Sequence, residues 1–127
     1  MLDISHERSL IADVWDTLEQ KARLPVDEAE FLALKGPTPR VYENQRSYHR
    51  FFLRGKALLK RNQTLLGVFT TDVSRRGIGF LAPVQLLPKE KINMHVPGAK
   101  ELQLEVARCH RVDDACFECG AKFVLTS

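Results

Sequence analysis

A change of hydrophobic period near Phe51 constrains this chain more than any other feature. Phe51, Leu53, Gly55, Ala57 and Leu59 alternate with Phe52, Arg54, Lys56, Leu58 and Lys60. Side chains of a strand point alternately to two faces, so a period of two marks a strand with one apolar side. Arg61-Asn62-Gln63 then reads as a turn, and Thr64 to Val73 as a second, β-branched and apolar strand. Ser74-Arg75-Arg76-Gly77 is a tight turn before a third strand, Ile78 to Leu81, stopped by Pro83. Lys91 to Val96 is a fourth, ended by Pro97-Gly98; Leu102, Leu104 and Val106 belong to a fifth. Asp113-Asp114 turns the chain into a sixth, from about Cys116 to Leu125. Six short strands with regular turns predict a mainly β fold, a small antiparallel barrel or sandwich.

The chain before that point follows a different rhythm. Leu10, Ile11, Val14, Trp15, Leu18 and Ala22 recur at spacings of three and four, which predicts an amphipathic helix. Ser5 is its expected N-cap and Pro25 its stop. A shorter helix follows, with Asp27, Glu28 and Glu30 at its start and Phe31, Leu32 and Leu34 as apolar surface. Gly36-Pro37 closes it, and Gly-Pro-Thr-Pro-Arg at 36–40 reads as a linker. The expected organisation is a helical extension over 1–38 and a barrel domain over 39–127.

Charge divides at the same place. Residues 1–38 carry eight Asp/Glu and four Lys/Arg, whereas residues 39–127 carry eight Asp/Glu and fifteen Lys/Arg. The second region is therefore suited to an anionic partner. No apolar run approaches the roughly 20 residues that span a bilayer. The N-terminus has no secretory pattern, so a cytoplasmic protein without a membrane partner is expected. The three cysteines, Cys109, Cys116 and Cys119, are expected to be reduced thiols. With His110 they have an imperfect zinc spacing, and strand alternation would scatter the ligands, so no metal and no resident cofactor are expected. No spacing suggests a nucleophile–base pair or paired acids, so no catalytic residue is assigned and an enzyme is not expected.

Two short patterns carry the chemistry. Arg46-Ser-Tyr-His-Arg50 precedes the first strand. Each arginine offers a planar fork of donors that matches phosphate oxygens or the O6 and N7 edge of guanine. Asp72-Val-Ser74-Arg-Arg-Gly77 lies at a strand-to-strand turn. Its carboxylate can accept from guanine N1 and N2, its hydroxyl can bond a phosphate, and its glycine allows a left-handed turn or a close ligand approach. In this order the two patterns resemble the PilZ family, bacterial receptors for the second messenger cyclic di-GMP. The resemblance runs from about Arg40 to Phe123 and includes Gly79-Phe80 and the closing Gly120-Ala-Lys-Phe123.

The resemblance implies a six-stranded β-barrel and a nucleotide site. Arg46 and Arg50 would grip guanine and phosphate, Asp72 and Ser74 would bind from the barrel face, and Gly77 would shape the turn. Gln45, Arg75 and Arg76 are candidates for additional contacts. Gln45 stands where many members carry an arginine associated with a second bound dinucleotide, which favours one ligand per chain. The helices lie at the front, whereas many members end in one. They are expected either to cap the barrel or to meet a downstream protein partner. Two other readings stay open: a PilZ-like adaptor that binds only protein, and an OB-like barrel that binds single-stranded nucleic acid through basic strands with Phe51, Phe52 and Phe69.

Overall fold

The alternating strands close on one another. The structure is a computed structural model that describes residues 4–35, 50–98 and 101–124. Strands β1 (Phe51–Arg61), β2 (Thr64–Val73), β3 (Gly77–Ala82), β4 (Lys91–His95), β5 (Leu102–Asp113) and β6 (Cys116–Phe123) form a closed barrel in the order β1-β2-β3-β6-β5-β4. Every pairing is antiparallel. Of the two expected architectures the barrel is the one formed. Ala57, Leu59, Leu66, Val68, Ile78, Phe80, Met94, Leu104 and Val106 fill its interior, each at most 1% exposed. They lie at alternate positions, as a half-buried strand requires.

Bulges break the alternation in β1 and in β5. The first lies between Phe52 and Gly55 in β1. Phe51 and Leu53, expected on the face of Ala57 and Leu59, are instead 49% and 40% exposed. An inserted residue shifts the register and turns every side chain beyond it to the other face. The second is in β5, which runs on past Val106 to Asp113. Its register with β6 slips between Val106 and Arg108 and again between Arg111 and Asp113. Those slips erase the period of two, so the second half of β5 has no alternating signature.

The helical extension packs outside the barrel. Helix α1 covers Ile4–Thr17 and α2 covers Glu28–Ala33. Ser5 therefore lies inside α1 instead of capping it. The helix stops at Thr17, well before Pro25, because the chain becomes extended to pair with β2. Gly67 donates to the Gln20 carbonyl at 2.9 Å and accepts from the Ala22 amide at 2.8 Å. Ala22 is 5% exposed, so its place in the apolar stripe reflects burial without helix. Gly67 is required here, since a Cβ would stand 2.9 Å from the Trp15 ring. Trp15 and Phe31 meet Phe69 edge-on, with centroids 5.0 and 5.7 Å away, and Trp15 Nε1 donates to the Val68 carbonyl at 3.0 Å. Burial of each ring contributes about 1.5–3 kcal/mol. Asp27 caps α2 by accepting from the Glu30 amide at 3.1 Å. The expected linker at 36–40 and the boundary at 38/39 lie outside the described residues.

Candidate ligand-binding site

The site forms where β1 begins and β2 ends. Phe52 pairs with Asp72, and Asp72 pairs in turn with Gly79. Both pairings sit beside bulges, at Phe52/Gly55 and at Thr70/Asp72. Bulges re-aim side chains, and here they bring Arg50 onto Asp72. Arg50 Nε donates to Asp72 Oδ2 at 2.9 Å and Nη2 donates to Oδ1 at 3.1 Å, a two-pronged ion pair. The side chains are 13% and 24% exposed, respectively. Arg50 Nη1 also reaches Ser74 Oγ at 3.4 Å.

Ser74 and Gly77 build the adjoining turn. The Ser74 amide donates to the Gly77 carbonyl at 2.9 Å, and Ser74 Oγ accepts from the Arg76 amide at 3.3 Å. The expected left-handed backbone at Gly77 is not present: among the described residues the only glycine with positive φ is Gly98. Gly77 is needed for a different reason. A Cβ there would lie 2.1 Å from the Ala121 carbonyl oxygen on β6, a contact no side chain tolerates.

A cavity of about 560 Å³ opens from this corner across β3, β6 and β5. Arg50, Arg75 and Arg76 bound one side and Arg108 and Lys122 the other, over a floor that includes Gly77 and Gly120. Five cations and no acid line it among the described residues. Such a wall attracts a multiply charged anion, because five positive charges focus their potential there and the single charge of Asp72 offsets only part of it. Arg108 and Lys122 were not among the residues expected from sequence. Arg108 follows the β5 bulge, where the pattern is lost; the pairing of β3 with β6 sets Lys122 opposite Gly77, and the pairing of β5 with β6 sets Arg108 opposite Gly120.

Arg54 lies on the other side of Asp72. Its guanidinium stacks between Phe31, at 4.1 Å, and Phe52, at 4.8 Å. Its Nε is buried with no hydrogen-bond partner among the described residues. Burial lowers the Arg54 pKa, and the nearby Asp72 charge acts against that shift. Arg46 and Gln45 lie outside the described residues. Of the expected contacts, the structure brings together Arg50, Asp72, Ser74, Arg75, Arg76 and Gly77.

Residues 44–127 match the profile of the PilZ domain. The chain belongs to the PilZ family. PilZ domains are binding domains, not enzymes, and the family is generally one of cyclic di-GMP receptors. No curated protein matches the chain. The PilZ match spans the whole barrel together with the segment that carries Gln45 and Arg46, while α1 and α2 precede it.

The cysteines of this PilZ domain occupy two environments. Cys119 donates to Cys109 across β5 and β6 with the sulfurs 2.9 Å apart, inside the barrel. Burial and the neighbouring Cys109 push the Cys119 thiol pKa up. Cys116 belongs instead to the outer cluster around Trp15 and Phe69, where burial, Asp113 and Glu118 raise its pKa. Among the described residues no three His, Cys, Asp or Glu side chains group as metal ligands. No helix among them is long and apolar enough to cross a membrane.

Proposed function

We propose that this PilZ domain is a cyclic di-GMP receptor whose ligand occupies the cavity between the Arg50–Asp72–Ser74 corner and β5. The observation that supports the reading most directly is the five-cation wall, free of acids among the described residues, beside a carboxylate and a hydroxyl. Cyclic di-GMP needs that combination, since it carries two phosphates and two guanines. Arg50, Arg75 and Arg76 take phosphate, with Arg46 as a further phosphate or guanine contact and Gln45 as a neutral one. Ser74 bonds a phosphate oxygen, and Gly77 keeps the floor low. Asp72 accepts from guanine N1 and N2. Asp72 already accepts twice from Arg50 and once from the Thr71 hydroxyl at 3.2 Å, so a base takes over acceptor positions on the carboxylate from such donors.

The signal leaves through Arg54. Asp72 acts on Arg54 by its charge, and Arg54 stacks on Phe31 of α2. A ligand that draws on Asp72 changes the field at Arg54 and hence the hold of the barrel on α2. The helical extension thereby becomes the element a downstream protein partner reads. Leu10 and Val14 of α1, 47% and 39% exposed, offer apolar contact for it.

Calorimetry with cyclic di-GMP tests the reading. A saturable titration with one dinucleotide per chain is expected. A ligand at 100 times its Kd stabilises the native state by about 2.7 kcal/mol, so the melting temperature rises as well. Neither heat nor a melting shift, or a response to short oligonucleotides alone, overturns it.

A further inference from the structure

Beyond the two motifs, one row of residues crosses the outer face of the barrel under the cavity. Asp72 of β2 pairs with Gly79 of β3, Gly79 with Gly120 of β6, and Gly120 with Arg108 of β5. The two central residues are glycines, and the two flanking side chains lie down over them. A Cβ at Gly79 would stand 2.4 Å from Asp72 Oδ1, and one at Gly120 would stand 2.6 Å from Arg108 Nη1. The carboxylate and the guanidinium thus rest on adjacent central strands, about one strand spacing (~5 Å) apart. Arg108 makes no hydrogen bond or ion pair among the described residues, although it stands between two cavities that both reach it.

The order of groups along this row is acceptor, then a gap without side chains, then a planar fork of donors. Guanine presents the complement in order around two adjoining edges: N2–H and N1–H donors, then the O6 and N7 acceptors. Adenine does not, because an amino donor replaces O6. Arginine is the side chain whose fork fits O6 and N7 together.

We infer that Arg108 is a base-reading residue, which donates to guanine O6 and N7 while Asp72 accepts from N1 and N2. The inference rests on the reading of this site as a cyclic di-GMP receptor and goes beyond its two sequence motifs. Arg108 supplies specificity for guanine. Gly79 and Gly120 supply the room in which the two side chains can be laid flat against the sheet.

A double-mutant cycle between protein and ligand tests it. The probes are cyclic di-GMP and its 7-deaza analogue, in which C–H replaces the N7 acceptor. Wild-type protein should bind the analogue about tenfold or more weakly, the loss of one charge-assisted hydrogen bond. Arg108→Ala should bind cyclic di-GMP about tenfold or more weakly and should no longer distinguish the two ligands. Gly120→Ala is a second route, since its methyl group displaces the end of the Arg108 side chain without removing its charge. It should show the same loss of discrimination. A thermal melt of each variant confirms that the barrel is folded. If wild type binds cyclic di-GMP but both variants still penalise the analogue as wild type does, the inference falls while the receptor reading stands. If wild type binds no cyclic di-GMP, the receptor reading falls and the inference with it.

Discussion

Two arginine–carboxylate pairs stand at opposite ends of β1, with nearly the same geometry and different surroundings. At one end Arg50 holds Asp72 at 2.9 and 3.1 Å. At the other Arg61 holds Glu90 at 2.5 and 3.1 Å. Each pair adjoins a cavity, and the one beside Arg61 and Glu90 is the larger, about 680 Å³ against about 560 Å³. Neither pairing geometry nor volume therefore separates a binding site from a structural clasp. The neighbours do. Glu90 also accepts from the Leu87 amide at 3.1 Å, and its carbonyl accepts from the Val106 amide at 2.9 Å. It is knitted into a turn and a strand. Its cavity contains Glu90 itself among apolar Leu66, Val84 and Leu87, so the charges of Arg61 and Lys89 are partly answered. At the Asp72 end the cavity is lined by five cations and, among the described residues, by no acid, with Asp72 held against Arg50 at its corner.

The largest effect should come from cutting the link that only the Asp72 end has. Phe31→Ala removes the ring that closes the outer seam on Phe69 and carries Arg54. A buried Phe→Ala costs about 3 kcal/mol at the low end of its range. Hydrogen exchange should show lost protection in α1 and α2 while the Leu87–Glu90 turn keeps its own. A uniform loss over the whole barrel would mean that the seam and the interior are one cooperative unit.

A smaller change should separate the pairs by function. Arg50→Ala should weaken cyclic di-GMP binding by about 1.5–3 kcal/mol, roughly 10- to 100-fold, the worth of a hydrogen bond to a charged group. Arg61→Ala should leave the affinity within about twofold and lower the melting temperature instead. Calorimetry and thermal melts on both variants check the pair of outcomes. Equal loss of affinity in the two would dissolve the distinction drawn between the ends.

Sequence reasoning reached the Asp72 end through its motifs and the barrel through local alternation, and it stopped where locality stops. The strands were legible because Ala57, Leu59, Leu66 and Val68 lie at alternate positions between turns. Arg50, Asp72 and Ser74 were legible as parts of recognisable patterns. Arg108 was not, because the slip between Val106 and Arg108 removes the period that would mark its face. Its approach to Gly120 is a contact between strands, for which a single sequence has no sign. The end of α1 was missed for a related reason. Ala22 continues the helical stripe but is buried as extended chain against Gly67, so burial and helix became confounded.

The smallest effect should be a pH-dependent one at the Glu90 end. Burial pulls the Glu90 pKa up, but the Arg61 hydrogen bonds, the Leu87 amide and the Arg61 charge outweigh it, so the net shift is downward. A carboxyl whose folded pKa is depressed contributes stability that is fully present above its unfolded pKa, about 4.3. The contribution is lost as the pH falls through the lower folded value. Glu90→Gln, which keeps the shape and removes the charge, should therefore cost ~1 kcal/mol at pH 7, the upper range for a partly exposed pair. The gap between variant and wild type should narrow once the pH falls below about 4 and close when the wild-type carboxyl is protonated in the folded state. Urea melts at several pH values measure the gap. Cyclic di-GMP affinity at pH 7 should be unchanged in the variant, because Glu90 lies at the far end of β1 from the cationic cavity. The absence of a gap at every pH would show that Glu90 acts through shape and its backbone contacts alone. The contrast between the two ends of β1 would then rest on the Arg50 pair by itself.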